Sequence, residues 1–236
     1  MNRSWVLVRG AALAVIAVAV VLLVDAVSRG DGLTVIDRPI WSWFVHHRDG
    51  ALTVTFKVIT QVGSTLVTGT AAAVTVLLLL WRKRRADAVF LAAVSIGAGA
   101  IVSVGKHLLG RARPPLAERL VVETNQSFPS GHALASIAII GAMAILFVPT
   151  VRAGGRRMAT LVAAALFLVA IGVSRLYLGV HWSTDVIGGW LAGGGWLLLC
   201  LTVRQVDERR ARPGLGRRPA VPGSGTAVSG SRPTRS

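Results

Sequence analysis

Apolar runs alternate with short polar stretches along almost the whole chain. Residues 5–27, 56–81, 86–105, 131–149, 158–178 and 182–203 are nearly free of charge. At about 1.5 Å rise per residue, each is long enough to cross the hydrocarbon as a helix. Arg3 and Arg9 lead the first run. Its length, and the poor cleavage site around Asp25-Ala26, favour a retained span over a removed leader. Gly63, Ser64, Thr68, Gly69, Thr70 and Ala71 in the second run, and Gly97, Gly99 and Gly105 in the third, give small faces for close helix packing. Residues 28–50 mix Arg29, Asp31, Asp37, Arg38, Arg48 and Asp49 with Trp41, Trp43 and Phe44, which reads as an external loop with an interfacial aromatic segment.

The expected fold is therefore all-α, a multi-pass membrane protein of six transmembrane helices. Three regions are expected: a first span with its external loop over 1–50, a core over 51–205, and a disordered basic tail over 206–236. Composition agrees with this. The 236 residues are 53% hydrophobic with a mean hydropathy of +0.63. A formal charge of +16 would point to nucleic acid in a soluble protein. Here the excess sits in loops and tail that would face an anionic leaflet, so no nucleic-acid partner is expected. Cys200, the single cysteine, lies in an apolar run and reads as packing.

Loop charge sets the orientation. Arg82-Lys83-Arg84-Arg85, the 152–157 loop and the tail mark the cytoplasmic side. The 106–130 segment is also basic but falls on the other side, which is consistent only if its cations bind substrate. Segments 106–132 and 174–185 then share the extracytoplasmic face.

Candidate chemistry concentrates in those two segments. His181 and Asp185 are four residues apart, so one helical turn brings them together, and a carboxylate can fix an imidazole tautomer and raise its basicity. Gly179 separates them from Arg175, which ends the preceding helix. Lys106, Arg113 and Arg175 supply three fixed cations suited to a phosphate dianion. Ser130 can donate a hydroxyl. Gly131 opens a helix whose N-terminus favours an anion and lets backbone N–H groups approach it. Arg111 and Arg119 read as snorkelling anchors, and His46, His47 and His107 as interfacial. Asp25 and Lys57 should snorkel or pair. Trp182 and Tyr177 are placed to line or pack near the site.

Three motifs stand in order: Lys106 with Arg113-Pro114 after six intervening residues, Pro129-Ser130-Gly131-His132, and Ser174-Arg175 with His181 and Asp185. Together they resemble the signature of the type 2 phosphatidic acid phosphatase (PAP2) superfamily, over roughly residues 50–203. The resemblance implies a membrane lipid phosphatase that hydrolyses a lipid phosphate or pyrophosphate, with phosphatidic acid, phosphatidylglycerol phosphate or a polyprenyl pyrophosphate as substrate. It implies His181 as nucleophile through a phosphohistidine, Asp185 as its orienting partner, and His132 as acid and then base. Lys106, Arg113, Ser130, Gly131 and Arg175 would bind the phosphate. No cofactor and no metal are expected, because the cations carry the electrostatic role. Two other readings use the same cation cluster: a non-catalytic phospholipid-binding or transport protein, and a vanadate-dependent haloperoxidase.

Overall fold

The structure is a computed structural model and describes residues 3–151 and 154–210. Its elements are α1 (Arg3–Arg29), α2 (Asp37–His46), α3 (Gly50–Val62), α4 (Thr65–Trp81), α5 (Arg85–Leu109), α6 (Gly131–Phe147), α7 (Gly154–Tyr177) and α8 (Ser183–Arg210), with three short 3₁₀ turns between them. The described residues contain no strand. Among the described residues, six helical segments are long and apolar enough to cross a membrane, as the hydrophobic pattern predicts.

Three details differ from the pattern. The second span starts at Gly50 rather than 56, and it is broken. Gly63 ends α3, and Ser64 restarts the chain by accepting the Val67 N–H on its hydroxyl, 3.2 Å away. A β-carbon at Gly63 would lie 2.5 Å from Ile171, so close packing on α7 requires glycine at the break. The expected loop over 28–50 contains a ten-residue helix, α2, which packs on α7 and α8. Finally, α8 continues through Arg210, where the pattern ends the span at 203. Arg204 salt-bridges Asp87 across to α5 at 2.6 Å and so ties that extension down. The remainder of the proposed tail, 211–236, lies outside the described residues.

Helix α6 is the axis of the bundle. Leu134, Ala138 and Ala142 are fully buried, in one cluster with Leu79, Leu91, Val94 and Ala98 of α4 and α5. By contrast, only Leu23 and Ala26 of α1 are buried hydrophobics, as expected of a helix lying against lipid. Small residues of α8 let it approach α6 closely. A β-carbon at Gly193 would stand 2.5 Å from the Leu134 carbonyl oxygen, and one at Gly189 would stand 2.8 Å from that of Ser130. That contact fixes the start of α8 against the start of α6. Cys200 is half-buried beside this core and packs against it.

At one end of the bundle α5 ends, α6 begins, α7 ends and α8 begins. Both chemically rich segments therefore meet there. Gly110, at φ +54°, ends α5 and turns the chain into the 111–130 loop. Gly179, at φ +72°, makes the turn between α7 and α8. Its missing side chain leaves room for the Glu118 carbonyl and the Arg48 guanidinium, each 2.6 Å from where a β-carbon would be. Arg48 donates to both the Tyr177 and Glu118 carbonyls and locks that turn to the loop.

Candidate active site

His181 sits in the α7–α8 turn and is 1% exposed. Its Nδ1 faces Asp185 Oδ2 at 3.3 Å and Ser127 Oγ at 3.4 Å. Its Nε2 faces the Arg113 Nη1–H donor at 3.1 Å. The hydrogen-bond network therefore assigns the proton to Nδ1 and leaves Nε2 unprotonated, its lone pair accepting from Arg113. Burial pushes the imidazole pKa down to about 4, against the opposing pull of Asp185, so the ring is neutral at neutral pH.

Asp185 lies in the first turn of α8 and is fully buried. Its Oδ2 accepts from Ser127 Oγ–H and the Trp182 N–H, and its Oδ1 accepts from Arg111 Nη1 at 2.5 Å. Four donors thus converge on one carboxylate.

Of the predicted cations, Arg113 faces His181 Nε2 and Lys106 lines the same cavity. Arg113 is held by the Val180 carbonyl at 2.7 Å and by the carbonyl and side-chain oxygens of Asn125 at 2.7 and 2.6 Å. Burial lowers its pKa to about 10, which leaves it charged. Lys106, in the last turn of α5, reaches the Gln126 carbonyl and Asn125 Oδ1. Arg175, in the last turn of α7, is 1% exposed and donates to Thr60 Oγ1 of α3 at 2.7 Å.

Two buried donors in this region have no partner among the described residues: Arg175 Nε and the Ser130 hydroxyl. Unpaired buried polar groups are costly, so each of these donors has capacity for a further acceptor. The Ser130 backbone N–H is already committed, donating to the Asp185 carbonyl at 3.0 Å. Gly131 opens α6 and borders the cavity; a β-carbon there would meet Thr65 and Val102 only at 3.4–3.5 Å, an ordinary contact. His132, the second residue of α6, lines the same space.

That space is a cavity of about 620 Å³. His181, His132, Lys106 and Arg113 close its polar end, and Leu66, Gly99 and Val102 of α4 and α5 form its apolar side. The break at Gly63 is what brings Ser64 and Thr65 to its wall.

Every residue that the motifs predict for the site is brought to this end of the bundle. Two sequence expectations need correction. Arg111 is not a snorkelling anchor: it bridges Asp185 and Asp37, at 2.5 and 2.6 Å, inside the protein. Arg119 also turns inward, and donates through Nε and Nη2 to the Pro114 carbonyl. Asp25 pairs with Arg29, as expected. Tyr177 packs on Phe56 and hydrogen-bonds Asp49 and Thr53, and Trp182 donates to the Ala112 carbonyl, so both brace the loops.

One residue of the site carries no sequence signal at all. Glu123 lies between Arg175 and Arg113, with Oε1 against Arg175 Nη2 and Oε2 3.5 Å from Arg113 Nη2. Burial raises its pKa, but the two arginines outweigh that and hold it below the ordinary carboxylate range. A carboxylate thus occupies part of the anion-binding cluster.

Fold and site together define a multi-pass membrane protein with a buried histidine–aspartate pair facing a cluster of fixed cations. The chain belongs to the PAP2 superfamily, whose family model matches residues 87–209. It is similar to phosphatidylglycerophosphatase B of Bacillus subtilis (strain 168), with 36% identity over 108 residues, 45% of this chain and 51% of that protein. It is also similar to the undecaprenyl-diphosphatase of Sulfolobus acidocaldarius, with 34% identity over 125 residues, 51% of this chain and 56% of that protein. The chain thus spans about half the length of the curated relatives it matches. The crystal structure of a transmembrane PAP2-type phosphatidylglycerolphosphate phosphatase from Bacillus subtilis superimposes with a TM-score of 0.67 at 27% identity, over 84% of this chain and 96% of that one.

Proposed function

We propose that this protein is a membrane-embedded phosphatase that hydrolyses a lipid phosphate or pyrophosphate. The observation that carries the reading is the buried His181–Asp185 pair, whose Nε2 faces the Arg113 guanidinium at a cavity also lined by Lys106 and His132. Binding alone needs the cations but not an oriented nucleophile, so the His181–Asp185 pair favours catalysis over transport or passive lipid binding.

In the proposed reaction His181 Nε2 attacks phosphorus while the bond to the leaving oxygen breaks. His132 gives that oxygen its proton. Water, deprotonated by His132, then attacks the phosphohistidine; the P–N bond breaks and inorganic phosphate leaves. Lys106, Arg113 and Arg175 neutralise the charge on the equatorial oxygens, and the Ser130 hydroxyl donates to one of them. The names of the relatives support phosphatidylglycerol phosphate and undecaprenyl diphosphate as the first substrates to assay, with phosphatidic acid alongside. Purified protein should release phosphate from at least one of them, fully so in EDTA and sensitively to vanadate. Activity lost on chelation and restored by magnesium would contradict the assignment of the electrostatic role to the side-chain cations.

The basic residues 82–85 stand at the end of the bundle opposite the site, which supports a cytoplasmic placement for that end and an extracytoplasmic active site. With Cys200 replaced by serine, a cysteine at Glu118 should react with an impermeant thiol reagent on intact cells. Labelling only after lysis would invert the orientation.

Glu123 tempers anion affinity in this scheme. Bound phosphate must either displace its carboxylate from Arg175 or share the cluster with it. The arginines keep other tethers, at Thr60, Val180 and Asn125, so Glu123 is not needed to hold them. Glu123→Gln should therefore tighten inhibition by inorganic phosphate by roughly 10-fold, the size of one ~1.4 kcal/mol charge interaction. Weaker inhibition would mean that the carboxylate organises the cluster rather than competing for it.

A further inference from the structure

Asp37 opens α2, far from the motif-bearing segments in sequence and outside the stretch that the family model matches. It is nonetheless 3% exposed at the catalytic end of the bundle. Its Oδ1 accepts from Ser183 Oγ–H at 2.6 Å and from the Thr184 N–H at 2.9 Å. Its Oδ2 accepts from Thr184 Oγ1–H and from Arg111 Nη2, each at 2.6 Å. Arg111 uses its other tooth, Nη1, on Asp185 Oδ1 and on Thr184 Oγ1. One guanidinium thus spans two buried carboxylates, and the second of these holds His181.

The geometry has a consequence for catalysis. An arginine fork matches a carboxylate bidentately when nothing competes. If both teeth of Arg111 closed on Asp185, they would take up Oδ2, which now faces His181 Nδ1. Asp37 holds one tooth away and leaves Oδ2 to the imidazole. We propose that Asp37 is a positioning residue for the reaction: through Arg111 it keeps Asp185 Oδ2 on His181 Nδ1, and so keeps Nε2 as the attacking atom. This rests on the phosphatase reading given above. It places part of the catalytic apparatus in the N-terminal segment, which has to fold onto the core before the nucleophile is fully oriented.

A purely structural role is the competing explanation, because Asp37 also caps the start of α8. Asp37→Asn separates the two. Asparagine is as good a capping acceptor as aspartate, but an amide cannot hold a guanidinium as a carboxylate does. In the full-length protein in detergent, with long-chain phosphatidic acid as substrate, Asp37→Asn should lower kcat at least ~10-fold and leave KM within about twofold. Arg111→Gln should do the same. The double variant should be no slower than Arg111→Gln alone, since residues that act through one contact are not additive. A wild-type kcat in folded Asp37→Asn, or losses that simply multiply in the double variant, would overturn the assignment.

Two further measurements guard against other failures. Should Asp37→Asn not fold, Arg111→Lys keeps the charge but cannot span both carboxylates; it should lose kcat to a similar extent, and an unchanged kcat would overturn the proposal. The imidazole ¹⁵N shifts of His181 require no turnover at all. They should report one tautomer in the wild type, protonated at Nδ1, and a mixture in Asp37→Asn. An unchanged single tautomer would refute the positioning role even if the substrate class proved wrong, whereas a wild type that is inactive on every lipid phosphate would refute only the phosphatase reading.

Discussion

His181→Ala should abolish turnover, by at least ~10⁴-fold, the scale on which removal of a covalent nucleophile acts in an enzyme of this kind. No other side chain can take its place. His132 and His107 line the same cavity, but among the described residues neither has a carboxylate partner to orient it, and His107 Nδ1 is tied to the Ser103 carbonyl at 2.7 Å. The variant should still fold, because the core between α5, α6 and α8 does not involve the imidazole. Binding of inorganic phosphate should survive, since Lys106, Arg113 and Arg175 are each anchored by contacts other than His181. A folded His181→Ala protein with more than a few per cent of wild-type rate would end the nucleophile assignment.

Asp185→Asn should cost about 10³- to 10⁴-fold in kcat, by analogy with the orienting aspartate of a serine protease triad. The reason is local. The carboxylate accepts from Ser127, Trp182 and His181 on one oxygen and from Arg111 on the other. An amide has one oxygen and one N–H₂, so either orientation sets donors against donors. With its N–H₂ toward Arg111, the guanidinium loses one of its two carboxylates and meets a donor in its place. Turned the other way, N–H₂ faces the Trp182 N–H and the His181 Nδ1 proton, which drives the imidazole to the wrong tautomer. The same mismatch buries an unsatisfied donor, so the unfolding temperature should fall as well. Activity should therefore be expressed per folded molecule. Asp185→Asn with near-normal kcat would leave Asp185 a structural residue.

The parts of the fold visible in the sequence are those set by the bilayer. Each span has to satisfy its own backbone in hydrocarbon, so length and apolar composition reveal it directly. The helix break at Gly63-Ser64 escaped that reading, because both halves are apolar and only the contact with Ile171 explains the glycine. Within the site, Lys106, Arg113, His132, Arg175, His181 and Asp185 were legible because their spacing repeats a known signature. Arg111, Asp37 and Glu123 were not. Arg111 sits two residues from Arg113 in a basic loop, where an anchor to the membrane surface looks the same. Asp37 belongs to a mixed-charge stretch with Asp31 and Arg38, and only the folded chain brings it against Ser183 and Thr184. Glu123 precedes the second motif without any regular spacing. Buried charge pairing across more than 50 positions leaves no local trace in a chain.

The apolar side of the cavity bears on the substrate. Leu66, Gly99 and Val102 belong to segments apolar enough to face hydrocarbon, while Lys106 stands in the last turn of α5. A lipid can present its phosphate to His181 with its chains still in the membrane, where each methylene contributes ~0.8 kcal/mol to retention. The most direct measurement compares kcat/KM for a long-chain lipid phosphate with that for glycerol phosphate, in detergent micelles, at matched surface as well as bulk concentration. A ratio of at least ~10² is expected, which corresponds to ~2.7 kcal/mol of differential transition-state stabilisation. Equal values would contradict the account and indicate a phosphatase with no preference for lipid.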